Sequence, residues 1–166
     1  MDISRKYLDT NYDWVPITPV TDTEDEVYLI ETAMDQINTL SGKGYQIFGE
    51  FNPTFALTPP FRFHERICEC DITNVCFQIL NMKKDKGEFM AHIRWTGPLQ
   101  DEAKRHYYGD PFWWKFMPRI IAPPSNIAHG KLITFDLIYT PYKRIRNIYY
   151  IEDRKTDTTS VNKEDY

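Results

Sequence analysis

The chain has few cysteines and glycines, little net charge and no long apolar run. Its 166 residues include three cysteines and seven glycines, and the formal net charge is −4. Three closely spaced cysteines do not form the even-numbered framework of a secreted disulfide protein. The small negative charge creates no general attraction to nucleic acid or anionic membranes. No apolar run approaches the ~20 residues that span a bilayer, and the first residues lack the apolar core of a signal peptide. We therefore expect a cytoplasmic site of synthesis.

Aromatic residues and prolines are abundant. Aromatic side chains make up 15% of the chain, hydrophobic residues make up 42%, and there are 11 prolines. This is enough apolar material for one core, and the length favours one domain, either alone or with a small appended module. We expect an α+β fold with three parts: residues 1–88 as arm, helix and antiparallel strands, residues 89–140 as the module, and residues 141–166 as a last strand and tail.

The N-terminal part predicts an extended arm followed by one amphipathic helix. Prolines in the segment 1–21 disfavour a helix or an interior strand, and Trp14 would anchor the arm. Thr23 and Glu26 have the spacing of a capping box. Apolar residues then recur at helical spacing up to the glycines near residues 41–44. The members of this face are Val27, Ile30, Ala33, Met34, Ile37 and Leu40. A strand over 45–51 is expected next.

Three further strands are predicted before the module. Residues 61–71 alternate in polarity, residues 75–82 form a mainly apolar run, and residues 89–95 alternate again. The charged segment 83–88 has the composition of a hairpin loop. Together these segments predict an antiparallel meander packed against the helix.

Residues 102–135 contain the most distinctive local pattern. A charged segment leads to Tyr108, and Gly109, Asp110 and Pro111 follow. Glycine permits a positive φ, and Pro111 suits the first turn of a helix that Asp110 could cap. The pattern predicts a helix, a turn, a second helix that carries Trp113 and Trp114, a loop and a strand over 131–139.

This pattern resembles a LysM-like module of the kind found in baseplate and tail proteins of contractile-tailed phages. The matching positions are Tyr108, Gly109, Asp110, Pro111, Trp113, Trp114, Pro124, Ile127 and Gly130. The likeness covers residues 89–139. It implies a strand, two short helices and a closing strand, and it implies either a rigid block within a virion or binding of N-acetylated sugars beside the helices.

Four residues could form a zinc site, namely His64, Cys68, Cys70 and Cys76. Thiolates and imidazole are the usual zinc ligands, and on a strand His64, Cys68 and Cys70 would share one face. A C-x-C pair on a straight strand places its sulfur atoms poorly for one ion, and small buried thiols in a reduced protein are the simpler interpretation. We expect no metal and no other cofactor.

The acids and bases of the chain form no catalytic motif. The candidates are His64, Glu65, Glu69, His92, His106 and Asp136. None lies in a nucleophile elbow, a phosphate-binding glycine loop or an H-E-x-x-H helix. We therefore expect that the protein is not an enzyme.

Basic residues near tyrosines raise the possibility of single-stranded nucleic-acid binding. The basic residues are Lys131, Lys143, Arg144 and Arg146, and the tyrosines are Tyr139, Tyr142, Tyr149 and Tyr150. Such interleaving suits a stacking groove. A solvated loop over 141–147 explains the same pattern, and the overall acidity favours the loop.

The function that the sequence favours is structural. We expect a subunit of a large assembly such as a phage tail or baseplate, located in the virion and acting through contacts with other subunits. Buried aromatic residues dominate interface energies, so Trp14, Tyr108, Trp113 and Trp114 are the expected anchors. A glycan-binding module and a single-stranded nucleic-acid binder are the alternatives.

Overall fold

A computed structural model of the protein describes residues 10–55, 58–123, 126–141 and 147–150. These residues form seven strands and three α-helices. The strands are β1 (Tyr12–Pro16), β2 (Ile47–Glu50), β3 (Val75–Asp85), β4 (Glu88–Trp95), β5 (Trp114–Ala122), β6 (Lys131–Tyr139) and β7 (Ile148–Tyr150). The helices are α1 (Glu24–Gly42), α2 (Phe63–Cys68) and α3 (Gln100–Gly109). The α+β class is confirmed. No helix of the described residues is long and apolar enough to cross a membrane.

The strands form two sheets. The first has the order β1-β4-β3-β2 and is antiparallel throughout. The second has the order β6-β5-β7, in which β5 is antiparallel to β6 and parallel to β7. The hairpin between β3 and β4 is closed by Lys86 and Gly87, both at positive φ, as a two-residue turn between twisted strands requires. The expected domain boundary at residues 88 and 89 falls inside this hairpin.

Single bridges join the two sheets at both edges. Beyond β1, Ile17 pairs with Phe116 of β5, and beyond β2, Phe51 pairs with Leu137 of β6. The strands β1, β4, β3, β2, β6 and β5 therefore follow one another around a ring. One core fills it, with Phe116 in contact with the rings of Phe77 and Tyr107, each at a centroid distance of 4.9 Å.

The ring closes because Gly49 lets β2 approach β6. A Cβ atom at this position would lie 2.1 Å from the ring of Phe77 and 2.2 Å from the carbonyl oxygen of Phe135. Real Cβ atoms never come so close to other atoms, and the Phe135 carbonyl belongs to the backbone of the neighbouring sheet. A glycine is thus required at this junction.

Helix α1 forms where its capping and periodicity predict it. The Thr23 side chain accepts a hydrogen bond from the Glu26 N–H at 3.3 Å, and Ile30 and Ile37 are buried against the sheets. The Glu26 side chain does not follow the usual capping box, in which it would accept from the N–H of the capping residue. The buried carboxylate of Glu26 accepts from the backbone N–H groups of Val20, Thr21 and Asp22, so it fixes the segment before the helix.

The predicted strand over 61–71 is wrong. This segment is a 3₁₀ turn followed by α2. The polar and apolar residues of this segment alternate as in a strand, but their contacts are those of a helix. Arg62 and Glu65 form an i,i+3 ion pair at 3.1 Å, and Ile67 is the buried residue of α2. The strands predicted near residues 45–51, 75–82 and 89–95 are confirmed as β2, β3 and β4.

The predicted second helix of the LysM-like pattern is also wrong. After α3 the chain turns at residues 110–113 and continues as β5. Pro118 disfavours a helix and lies on the strand edge that faces away from β6. On the same edge of β5, the Phe116 carbonyl accepts a hydrogen bond from the Thr18 N–H, and the Ile120 N–H donates to the Asn147 carbonyl. Pro118 lies between these two hydrogen bonds, where no backbone N–H is required. A proline is tolerated at such a gap in the ladder. Strand β6 begins at Lys131, as predicted.

We predict that Gly49→Ala destabilises the protein by about 1–3 kcal/mol, the usual cost of overpacking a core. The added methyl would push against the Phe135 carbonyl and loosen the junction of β2 with β6. Equilibrium unfolding in urea measures the change.

The matched control is Gly42→Ala, at the last residue of α1, where a Cβ meets nothing within 4 Å. Alanine is a better helix former than glycine by about 1 kcal/mol, so this variant should be neutral or slightly more stable. Equal effects of the two substitutions would contradict the steric argument.

Candidate functional site

The interior contains a cluster of charged side chains that the sequence analysis did not assemble. Glu50 of β2, Arg119 of β5 and Asp136 of β6 are fully buried. Arg66 of α2 and Asn147, just before β7, complete it. Each member comes from a different element of the fold, and the cluster lies where β2 meets β6. We call these five residues the buried ionic cluster.

Arg119 is at the centre of this cluster. Its Nε and Nη2 atoms donate to the two oxygens of Asp136, each at 2.8 Å, and Nη2 also donates to Glu50 at 3.0 Å. Its Nη1 atom donates to the carbonyl oxygens of Ile67 and Glu69, at 3.0 and 2.7 Å. Burial alone would lower the pKa of Arg119, but the two carboxylates outweigh it and raise this pKa. The side chain is a permanent cation.

Glu50 is held ionised by its donors. Burial by itself would raise its pKa, but the hydrogen bonds from Arg66, the Asp71 N–H and Asn74, together with the charge of Arg119, lower this pKa to about 2. Arg66 binds both carboxylate oxygens, at 2.8 and 3.1 Å.

The cluster is balanced in charge and in hydrogen bonds. Two arginines face two carboxylates, and Asn147 donates to Asp136 at 2.9 Å while the Glu50 N–H donates to the same carboxylate at 3.0 Å. An arrangement of this kind stabilises one packing of the elements, because each group depends on the others. It presents no free acid or base to a substrate.

The sequence does contain a signal for this cluster. Arg119 lies within the apolar run FMPRIIA and Asp136 within LITFDLIY. A charge inside a buried strand requires an opposite charge nearby. Asp136, expected only as a possible acid, is therefore the partner that the buried charge of Arg119 requires.

The four residues considered as possible zinc ligands are not grouped together. His64 and Cys68 lie one turn apart on α2, with 3.8 Å between Nδ1 and Sγ, while Cys70 donates to the Phe48 carbonyl and Cys76 is buried in β3. Among the residues described, no three His, Cys, Asp or Glu side chains are grouped to hold a metal ion. Burial raises the pKa of Cys70 to about 12, so its thiol stays protonated and is a poor ligand.

The Gly-Asp-Pro turn is built differently from the expected one. Gly109 ends α3, and the Asp110 carbonyl accepts hydrogen bonds from the N–H groups of Trp113 and Trp114, both at 3.2 Å. Pro111 therefore lies in a turn that opens a strand. Gly130 follows a 3₁₀ turn, where a Cβ atom would lie 2.9 Å from the Ile127 carbonyl oxygen. Pro124 lies outside the described residues, as do Lys143, Arg144 and Arg146 of the basic segment.

Two of the four expected anchors are held within the chain. Tyr108 donates a short hydrogen bond to Asp13 and accepts one from the Trp95 indole at 3.3 Å. Trp114 is only 7% exposed and stacks on Phe51 with a centroid distance of 5.1 Å. Neither is free to anchor a partner while the fold is intact.

The other two anchors, Trp14 and Trp113, are accessible. Trp113 is half-buried next to Phe112, which is 66% exposed, and the two rings lie 4.5 Å apart edge to face. The Trp113 carbonyl accepts from both the N–H and the hydroxyl of Thr140. Lys115 places its ammonium 5.8 Å from the Phe112 ring. We call residues 110–113 with their exposed rings the aromatic turn.

We predict that Arg119→Met lowers the free energy of unfolding by about 3–5 kcal/mol, the usual effect of removing one partner of a buried ion pair. The variant leaves Glu50 and Asp136 as buried carboxylates with too few donors. Lys84→Met is the control, because it breaks the solvent-exposed pair with Glu31 (2.7 Å) and should cost only about 0–1 kcal/mol.

We also predict a specific acid sensitivity. The pKa of Glu50 is about 2 in the fold against an ordinary value of 4.5, so its stabilising effect is complete above pH 4.5 and is lost as the pH falls towards 2. Glu50→Gln should be less stable at neutral pH and should lose less stability over this interval. Parallel acid-dependence curves for the two proteins, measured by urea unfolding, would refute this assignment.

Comparisons with protein-family models, curated proteins and solved structures found no match to this chain.

Proposed function

We propose that the protein is a structural subunit of a larger protein assembly and acts through subunit contacts without a chemical step. The observation that supports this proposal is the aromatic turn. Phe112 is mostly exposed, yet the turn beneath it is fixed by hydrogen bonds and by the half-buried ring of Trp113. A rigid exposed aromatic group loses little conformational freedom when a partner covers it.

The energy available at this turn is sufficient for an anchor. Burying one large apolar side chain contributes about 1.5–3 kcal/mol, and aromatic residues are enriched among interface hot spots. Tyr139, which is partly exposed, pairs with Trp114 directly behind the turn. The turn and Tyr139 together provide an apolar centre that a partner could cover.

The buried ionic cluster supports the same proposal. The acids and bases that could have served catalysis in the interior are already paired with one another. The interior charges therefore contribute to the rigidity of the subunit, which favours an architectural role.

We place the assembly in a phage tail or baseplate because residues 108–114 resemble the turn of such proteins. This part of the proposal depends on the local sequence, since one of the two helices in that pattern is a strand here. The alternative of glycan binding requires a groove beside a second helix, and β5 takes the place of that helix in the chain.

Phe112→Ala and Trp113→Ala should each weaken association with the partner, Phe112→Ala by roughly 10-fold or more at a hot spot that costs above about 1.4 kcal/mol. Sedimentation of the untagged protein in native extract, with mass spectrometry of the chains that co-sediment, measures the association. Phe61→Ala is the matched control, because Phe61 is 86% exposed but lies outside the turn.

Loss of co-sedimentation in Phe112→Ala, with an unchanged melting temperature and a normal Phe61→Ala control, supports the proposal. A wild-type protein that remains a free monomer in every fraction would refute it.

A further inference from the structure

The exposed face of the first sheet carries a compact set of aromatic, basic and amide side chains. The strand register places three residues side by side in each of three rows across β1, β4 and β3. The rows are Tyr12, Arg94 and Gln78; Trp14, His92 and Asn81; and Pro16, Met90 and Lys83. Alternate side chains of a strand point to one face, and a bulge between Ile79 and Asn81 keeps β3 in phase. We call these nine residues the grid.

Planar rings occupy the β1 side of the grid. Tyr12 is 55% exposed and Trp14 is 37% exposed. The Trp14 and His92 rings are stacked, with centroids 4.9 Å apart and an interplanar angle of 15°. Tyr12 lies 6.2 Å from the same imidazole. Large exposed rings grouped in this way form a surface on which further planar groups can stack.

The charge of the grid is of one sign. Arg94 donates from Nε and Nη2 to the Gln78 side-chain oxygen, at 3.2 and 2.8 Å, so its orientation is fixed by a neutral partner. The Lys83 ammonium lies 4.3 Å from the centroid of the Trp14 ring. None of the nine residues is acidic, although the chain as a whole carries a net charge of −4. The next row on the same face is acidic, because Asp85 pairs with Glu88, so the positive charge is confined to the grid itself.

We infer that the grid binds single-stranded nucleic acid. Bases would stack on Trp14 and Tyr12, and phosphates would lie against Lys83 and Arg94. Stacking on aromatic side chains with backbone contacts from cations is the usual basis of sequence-tolerant binding to single strands. The exposed amide of Asn81 can donate to or accept from base edges, whereas Gln78 is buried and holds Arg94 in place.

Other classes of partner fit the grid less well. The core of a protein interface is depleted of lysine, whereas the grid places the Lys83 ammonium against the Trp14 ring. A duplex is read by an element that enters a groove, and the grid is an open sheet face. This inference goes beyond the proposed function and concerns a different surface, because no residue of the aromatic turn belongs to the grid.

Fluorescence anisotropy with labelled oligo(dT) and oligo(U) of about 12 nucleotides tests the inference, since such lengths fall within known site sizes. The wild type should bind both, and binding should weaken steeply between about 50 and 200 mM salt. Trp14→Ala should lose about 5- to 150-fold in affinity, the effect of one stacked base. Trp14→Phe retains a ring and should lose much less.

A charge variant separates stacking from electrostatics. Lys83→Gln should reduce the slope of log K against log salt by about 0.7 for one phosphate contact. Lys43→Gln, an exposed lysine outside the grid, should leave the slope unchanged, and Phe112→Ala should leave the affinity unchanged.

The inference is overturned by absence of binding at low salt, by equal binding of the wild type and Trp14→Ala, or by tighter binding to a duplex of the same length. Loss of protein co-sedimentation in Trp14→Ala without any oligonucleotide binding would also overturn it and would assign the grid to a protein partner. A failure here leaves the result for the aromatic turn unaffected, because the Phe112→Ala measurement does not involve the grid.

Discussion

The buried guanidinium of Arg119 is the constraint on which the rest of the structure depends. A cation in the interior must be matched by anions and by hydrogen-bond acceptors, or the fold loses several kcal/mol. The carboxylates come from β2 and β6, and the carbonyl acceptors come from α2 and the residue after it. All of these elements must be in place together. The position of Arg119 therefore sets the junction of the two sheets, and Gly49 allows that junction to be close enough.

Local signals in the sequence were sufficient for the elements that carry their own boundaries. Helix α1 has a capping threonine and a clear apolar face, and the β3–β4 hairpin has a lysine–glycine turn between two apolar runs. Local signals failed where tertiary contacts determine the secondary structure. Residues 61–71 alternate in polarity, but Arg66 is drawn into a helix that satisfies Glu50. The segment after Pro111 has a good helix start, but Pro118 disfavours a continuing helix, and its isoleucines favour a strand beside β6.

The two candidate surfaces differ in how far the sequence reveals them. The residues of the aromatic turn are consecutive, so the sequence alone shows that its rings are neighbours. The sequence does not show that Phe112 is exposed and Trp114 is buried. The grid is assembled from three strands that are distant in sequence. Its pairing of Trp14 with His92 and Lys83 follows from strand order and from one bulge. The net charge of the chain gave no indication of the grid, because net charge does not show how charged residues are distributed over the surface.

The two parallel bridges that close the ring have a consequence for how the chain folds. Ile17 near the beginning of the chain pairs with Phe116, and β1 itself pairs with β4. Contacts between residues so far apart in sequence slow folding, because loop-closure entropy is lost before the contacts form. During synthesis β1 has no partner until β4 has emerged from the ribosome. The prolines on either side of Ile17 would limit unwanted strand pairing in that interval.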